Sequence, residues 1–209
     1  MVFVSGITCV VWHLLSLVTP ATHCGHRQRL QERNDLPQRQ QMGRTKEAEQ
    51  IQMQSLAILR EIGNRRSEGI TLNNLASLYQ ETGQLEKSEP YFEQALAIHR
   101  EVGNRRDESH ALVDLACLFR DSGRTGQAGS AYETALALLR ELGDRRVEGV
   151  CQCCWAELLV TLGRMEEATE NWRGGTAILR DLGDSGELDR RRADMKKTCD
   201  KAGIPFRPD

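Results

Sequence analysis

The sequence predicts an all-α solenoid of antiparallel helix pairs, and three observations carry that expectation. The chain repeats itself at a step of 40 residues, glycines recur at fixed places within each step, and the apolar residues between them follow a helical period. Composition agrees. Hydrophobic residues make up 39% of the 209, yet aromatics are sparse (Phe 4, Trp 3, Tyr 3), which suits helices packed on Leu and Ala better than an aromatic-rich β-sandwich. Lys and Arg number 28 against 30 Asp and Glu, a formal net charge of −2, which argues against a general nucleic-acid coat.

Taken in order, residues 1–26 form an apolar leader. Val2 to Val18 carries no formal charge, but no basic n-region precedes it, and Thr19-Pro20-Ala21-Thr22-His23 makes a poor cleavage site. The run is also shorter than the ~20 residues of a membrane-spanning helix. A disordered leader, a signal or anchor, and a helix docked on the array all stay open, so membrane attachment is undecided. If the run inserts, Arg27, Arg29, Arg33 and Arg39 keep the array in the cytoplasm. A cytoplasmic location is expected, with membrane anchoring as the alternative. Residues 27–42 are polar where apolar residues are needed, and read as a degenerate linker or half-repeat.

Residues 43–183 hold the array. Leu56-Ala57-Ile58-Leu59-Arg60-Glu61-Ile62-Gly63-Asn64-Arg65-Arg66 aligns with Leu96 to Arg106 and with Leu136 to Arg146, and a fourth copy begins at Ala177. Gly43, Gly83, Gly123 and Gly163 form a second series offset by 20 residues. The first helix of a unit carries Leu72, Leu75, Ala76 and Tyr79, repeated as Leu112, Leu115, Ala116 and Phe119 and then as Trp155, Ala156 and Leu159. The second carries Leu85, Ser88, Phe92, Ala95 and Leu96, repeated as Ala128, Tyr132, Ala135 and Leu136, then Met165, Ala168, Trp172 and Thr176. Small residues at 76, 88 and 95 opposite large ones at 79 and 92 let the two helices approach closely. Gly83 and its equivalents suit a left-handed helix end, and Asn64, Asn104 and Asp144 suit the next N-cap. Residues 184–203 keep an apolar stripe of Leu188, Met195, Cys199 and Ala202 among basic residues, as a capping helix with a polar outer face would. Residues 204–209 are a tail.

Small-large alternation, the mid-unit glycine and two stacked helices resemble tetratricopeptide repeats. The resemblance implies a right-handed superhelix. The 40-residue step exceeds the usual 34 by six, and this long form resembles the arrays of LGN-type polarity adaptors and of bacterial signalling kinases and ATPase regulators.

No catalytic constellation accompanies the array: neither Gly-x-x-x-x-Gly-Lys-Ser/Thr, Gly-x-Gly-x-x-Gly, Gly-x-Ser-x-Gly nor His-Glu-x-x-His occurs. A non-enzymatic role without cofactor is expected. The seven cysteines form no even framework, and Cys151-Gln-Cys153-Cys154 lacks partners for a metal site, so these thiols read as small apolar residues. The remaining place for function is the inner face of the first helices. Helical spacing puts there Asn73, Asn74, Ser77, Gln80 and Glu81, then His110, Val113, Asp114, Cys117, Arg120 and Asp121, then Val150, Cys153, Cys154, Glu157 and Thr161. The resemblance implies that Asn74 bonds a peptide main chain. The best-known arrays of this type clamp an acidic C-terminus with Lys or Arg; with Arg120 as the lone cation of the inner face, a basic or apolar extended segment is the expected ligand. A second candidate surface, the arginine pairs 65/66, 105/106 and 145/146, reads as helical ion pairs with Glu61, Glu101 and Glu141 four residues earlier. No aromatics are interleaved for base stacking, and no nucleic-acid partner is expected. The reading is a protein-interaction scaffold, with a regulatory module of a larger signalling protein or a membrane-tethered adaptor as alternatives.

Overall fold

Among the described residues, four helices begin on a side-chain cap and a glycine of positive φ follows each helix end. The computed structural model describes residues 45–206, which hold eight helices and no strand. They are α1 (residues 45–61), α2 (Arg65–Glu81), α3 (Leu85–Glu101), α4 (Arg105–Asp121), α5 (Thr125–Leu142), α6 (Arg145–Thr161), α7 (Met165–Asp181) and α8 (Ser185–Ala202). Asn64, Asn104, Asp144 and Asp184 accept from the backbone N–H three residues on, at 3.1–3.4 Å, satisfying donors that the first turn leaves free. At the other end Gly143 takes φ 66°, and its N–H reaches the Arg140 carbonyl at 3.2 Å. A non-glycine residue would be strained there. The leader expected over residues 1–26 and the degenerate half-repeat over 27–42 lie outside the described residues.

From Glu49 onward the described chain is a solenoid of consecutive pairs, α2 with α3, α4 with α5 and α6 with α7. Among α2 to α8, every contact joins a helix to its neighbour or to the next but one, so no closed core forms. Ala76, Ala116 and Ala156 are wholly buried, as are Ser88, Phe92, Ala95, Tyr132 and Ala135. The Ser88 hydroxyl donates to the Ala76 carbonyl at 2.7 Å, so the small residues also satisfy a buried polar group. Cys151, Cys153, Cys154 and Cys199 are buried, Cys154 with Arg191 Nη1 donating to its sulfur at 3.1 Å. The tail folds back: Phe206 meets the Trp172 ring edge-on, 6.0 Å between centroids.

Two buried polar residues and one glycine pair escape the periodic reading. Gln152 occupies the place of Leu72 and Leu112, only 8% exposed, because Gly174 leaves room: a Cβ there would stand 2.5 Å from Gln152 Oε1. His99 occupies the place of Leu139 and Leu179, is 1% exposed, and faces the bare backbone of Gly69. Burial lowers the pKa of its imidazole, keeping it neutral, as a core residue. Between α6 and α7 the backbones nearly touch at Gly149 and Gly175, where a Cβ on Gly175 would lie 2.6 Å from the Gly149 carbonyl oxygen and 2.7 Å from Cys153 Sγ.

Gly175→Ala is therefore expected to destabilise by about 1–2 kcal/mol, overpacking outweighing the better helix propensity of Ala. Gly126→Ala on α5, with nothing within 4 Å of the added carbon, should stabilise by about 0.5–1 kcal/mol. Paired urea melts decide; equal signs would contradict the close approach.

Candidate groove and its polar network

Helices α2, α4, α6 and α8 stand side by side, and their shared face carries a chain of polar contacts from repeat to repeat. Asn73 donates to Asp114 at 2.9 Å, and Gln80 to Asp121 at 3.1 Å. Ser77 turns back to its own helix, donating to the Asn73 carbonyl at 3.0 Å. His110 lies 3.3 Å from Asp144. Arg120 donates to Glu157 at 2.9 Å and to Asp121 at 3.1 Å. Asn74 and Glu81 are exposed beside these contacts. Cys153 and Cys154 have at most 2% exposure, so their side chains lie beneath the groove instead of on its surface.

Burial sets the charge states here. Glu157 is 5% exposed, and its removal from water pushes its pKa up to about 7 although Arg120 and Arg191 oppose the shift. Burial likewise raises Asp114 against its bond from Asn73. The Cys153 thiol is pushed up to about 12 and is inert at neutral pH.

The face holds more cations than its three leading helices suggest. Helix α8, read from sequence as a cap with an outward polar face, rests mainly on α6 and extends the same groove. Arg191 reaches Glu187 at 3.1 Å and Asp194 at 2.9 Å, with Glu157 at 3.9 Å. Lys197 and Lys201 join Arg120, Asp121, Glu157 and Arg191 around a recess of about 890 Å³. The signal was in the repeat: Lys197 falls 40 residues after Glu157 and 80 after Cys117. The groove is thus anionic along α2 and α4, where Glu81, Asp114 and Asp121 stand, and gains positive charge towards α8.

The arginine ladder is corrected by the structure. Glu61, Glu101 and Glu141 do not pair with the arginines four residues on, because a left-handed glycine and an N-cap separate the two helices. Arg65 instead donates to Glu101 at 2.5 Å and Arg105 to Glu141 at 2.8 Å, each 36 residues ahead. Arg106 and Arg146 reach Asp144 and Asp184, the caps of the following units, at 3.2 and 2.7 Å. Arg60, Arg100 and Arg140 bond Glu68, Glu108 and Glu148 across each link at 2.8–3.1 Å. The ladder stitches units together, with exposed pairs worth little singly.

Among the described residues no group of three His, Cys, Asp or Glu is placed to hold a metal ion, and no helix is long and apolar enough to cross a membrane. Stacked helix pairs with a residue-lined inner face define a helical-repeat solenoid. This chain belongs to the tetratricopeptide repeat family, whose profile matches residues 38–100 and 67–141. Arrays of that family generally serve as protein-interaction scaffolds and are typically non-catalytic.

No curated protein matches the sequence. Among solved structures, BtubC (BKLC) from P. vanneervenii is similar at TM-score 0.58 and 18% identity, covering 74% of this chain and 71% of that one. A Podosopora anserina protein, described as a kinesin light chain with nearly identical TPR-like repeats, is similar at TM-score 0.59 and 21% identity, with 84% and 87% covered. A form of that protein with one glutamine replaced by methionine gives TM-score 0.60 at 21% identity, with 85% and 88% covered. At such identities the likeness is one of fold.

Proposed function

We propose that this chain is a non-catalytic scaffold that holds an extended peptide along the face of α2, α4 and α6, and that it works in the cytoplasm. One observation carries the reading. At the packing position the repeats keep Ala76, Ala116 and Ala156, whereas one residue further on they carry Ser77, Cys117 and Glu157. Constant packing beneath a changing face is what a tailored binding surface requires. The ligand segment over α2 and α4 is basic or apolar, since Glu81, Asp114 and Asp121 oppose an acidic one and the nearby Arg120 is already engaged by Glu157 and Asp121. Asn74, exposed and polar, is free of the packing and available to a peptide main chain.

Two labelled peptides of equal length, one basic and one acidic, test this at two salt concentrations. The basic peptide is expected to bind more tightly, to weaken at the higher salt, and to lose about 2–5-fold in affinity on Asp121→Asn. Tighter binding of the acidic peptide, weakened by Arg120→Ala, contradicts the proposal.

A further inference from the structure

In α3, α5 and α7 one side is covered by the first helix of the same pair. Ile98, Leu138 and Ile178 are at most 7% exposed, and the first helix passes so close that a Cβ on Gly69 would stand 3.1 Å from Ile98 Cγ2 and one on Gly149 3.0 Å from Ile178 Cγ2. Tyr91 stacks on Tyr79 of the covering helix at 5.5 Å. Charge closes one end of the pair, Arg65 meeting Glu101 at 2.5 Å and Arg105 meeting Glu141 at 2.8 Å. Helix α1 is a second helix of the same kind. Leu56 anchors it in a core section with Leu72, Leu75 and Ile98. Its pair-forming side, however, is turned to water: Ile58, at the place of Ile98, is 57% exposed, and Ile51, at the place of Tyr91, is 59% exposed. Glu61, at the place of Glu101, is exposed too, and no arginine meets it among the described residues.

We propose that α1 docks an amphipathic helix of a partner protein in the place that a first helix holds in the other units, on a surface separate from the groove. The other units define that helix. It has an arginine in its first turn, as at Arg65, Arg105 and Arg145, a small residue four positions on, as at Gly69, Ser109 and Gly149, and an apolar residue ten positions on, as at Leu75, Leu115 and Trp155. The small residue lets its backbone come down on Ile58, and the arginine supplies the charge that Glu61 lacks. Gln52 stands where Phe92, Tyr132 and Trp172 fill their units, so the docked helix needs a bulkier residue at the place of Ala76, which shares a core section with Phe92. Other segments of this chain do not match that description. In the 40-residue register Arg29, Glu32 and Asp35 stand at the places of Gly69, Leu72 and Leu75, and on α8 Asp189 and Arg192 stand at the first two. A second copy's α1, laid antiparallel with Ile51 on Ile58, would bring Glu47 within one residue of Glu61, like charge against like. A basic partner helix meets both glutamates with opposite charge.

The probe is a fluorescein-labelled peptide of residues 65–81, blocked at both ends, together with its Ala76→Leu form; each is titrated with the full chain and read by polarisation. Expected is saturable binding that a scrambled peptide of the same composition lacks, tighter for the Ala76→Leu form. Ile58→Lys, made at a side chain already in water, should leave the thermal melt unchanged and weaken binding at least about tenfold. Glu61→Lys should weaken it about 2–5-fold, and Arg65→Glu in the peptide should restore binding to that variant. Neither change in the chain should alter the affinity of the basic groove peptide, and Asp121→Asn should not alter that of the helix peptide, so the two surfaces stand or fall separately. No binding of either helix peptide to the full chain, or binding that Ile58→Lys leaves as it was, overturns the proposal. So does a dimer of the full chain in equilibrium sedimentation that Ile58→Lys dissociates, since the row then belongs to a second copy.

Discussion

Replacing Phe92 by Ala is expected to cost about 3–5 kcal/mol, felt chiefly in the repeats on either side of it. Phe92 has no exposed surface and shares a core section with Ala76, Leu96, Leu112 and Ala116. Its place recurs as Tyr132 and Trp172, so each unit closes its core on one aromatic of the second helix. Removing the ring leaves a cavity that the flanking helices, held by their own repeats, cannot fill by collapse. Because each unit touches only its neighbours, hydrogen exchange should rise in α2 to α4 while α6 and α7 keep their protection. A uniform loss of protection along the chain, or a urea-melt difference below about 1 kcal/mol, would show that the aromatic is not the centre of its unit.

Ala116→Leu should destabilise by about 1–3 kcal/mol, and Ala76→Leu by a similar amount. Both alanines are at 0% exposure where the paired helices come together, and the Ser88 hydroxyl is bonded to the Ala76 carbonyl. A larger side chain must push the helices apart or leave its rotamer. Ser77→Leu, one position on, changes a half-buried residue whose hydroxyl only returns to its own helix, and should shift stability by no more than about 0.5 kcal/mol. Thermal melts that rank the three substitutions the other way would show the helix faces to be wrongly assigned.

The family, the all-α architecture, the helix ends and the small-large packing were legible in the sequence, because all of them are local or strictly periodic. A glycine that must take positive φ, an Asn three residues before the N–H that it caps, and an apolar stripe at helical spacing each act within one or two turns. A helical period also says which side of its helix a residue is on. It does not say how deep the residue lies. Cys153 and Glu157 are assigned by that period to the groove side of α6, yet both are buried, Cys153 with its sulfur against Gly175 of α7 and Glu157 beside Arg191 of α8.

What the tertiary structure alone decided is which residues meet. Arg65 stands four residues from Glu61, but the turn at Gly63 and Asn64 starts a new helix between them, and the stacking of units brings Glu101 to it instead. The same stacking carries Arg191 of the last helix to Glu157 and Cys154, and lets Gly149 meet Gly175 backbone to backbone. Such pairings depend on the offset between adjacent helices, which the sum of all side-chain volumes at their interface sets. No single period encodes that sum, whereas a repeat of 40 residues was enough to mark where the helices of the described residues begin and end.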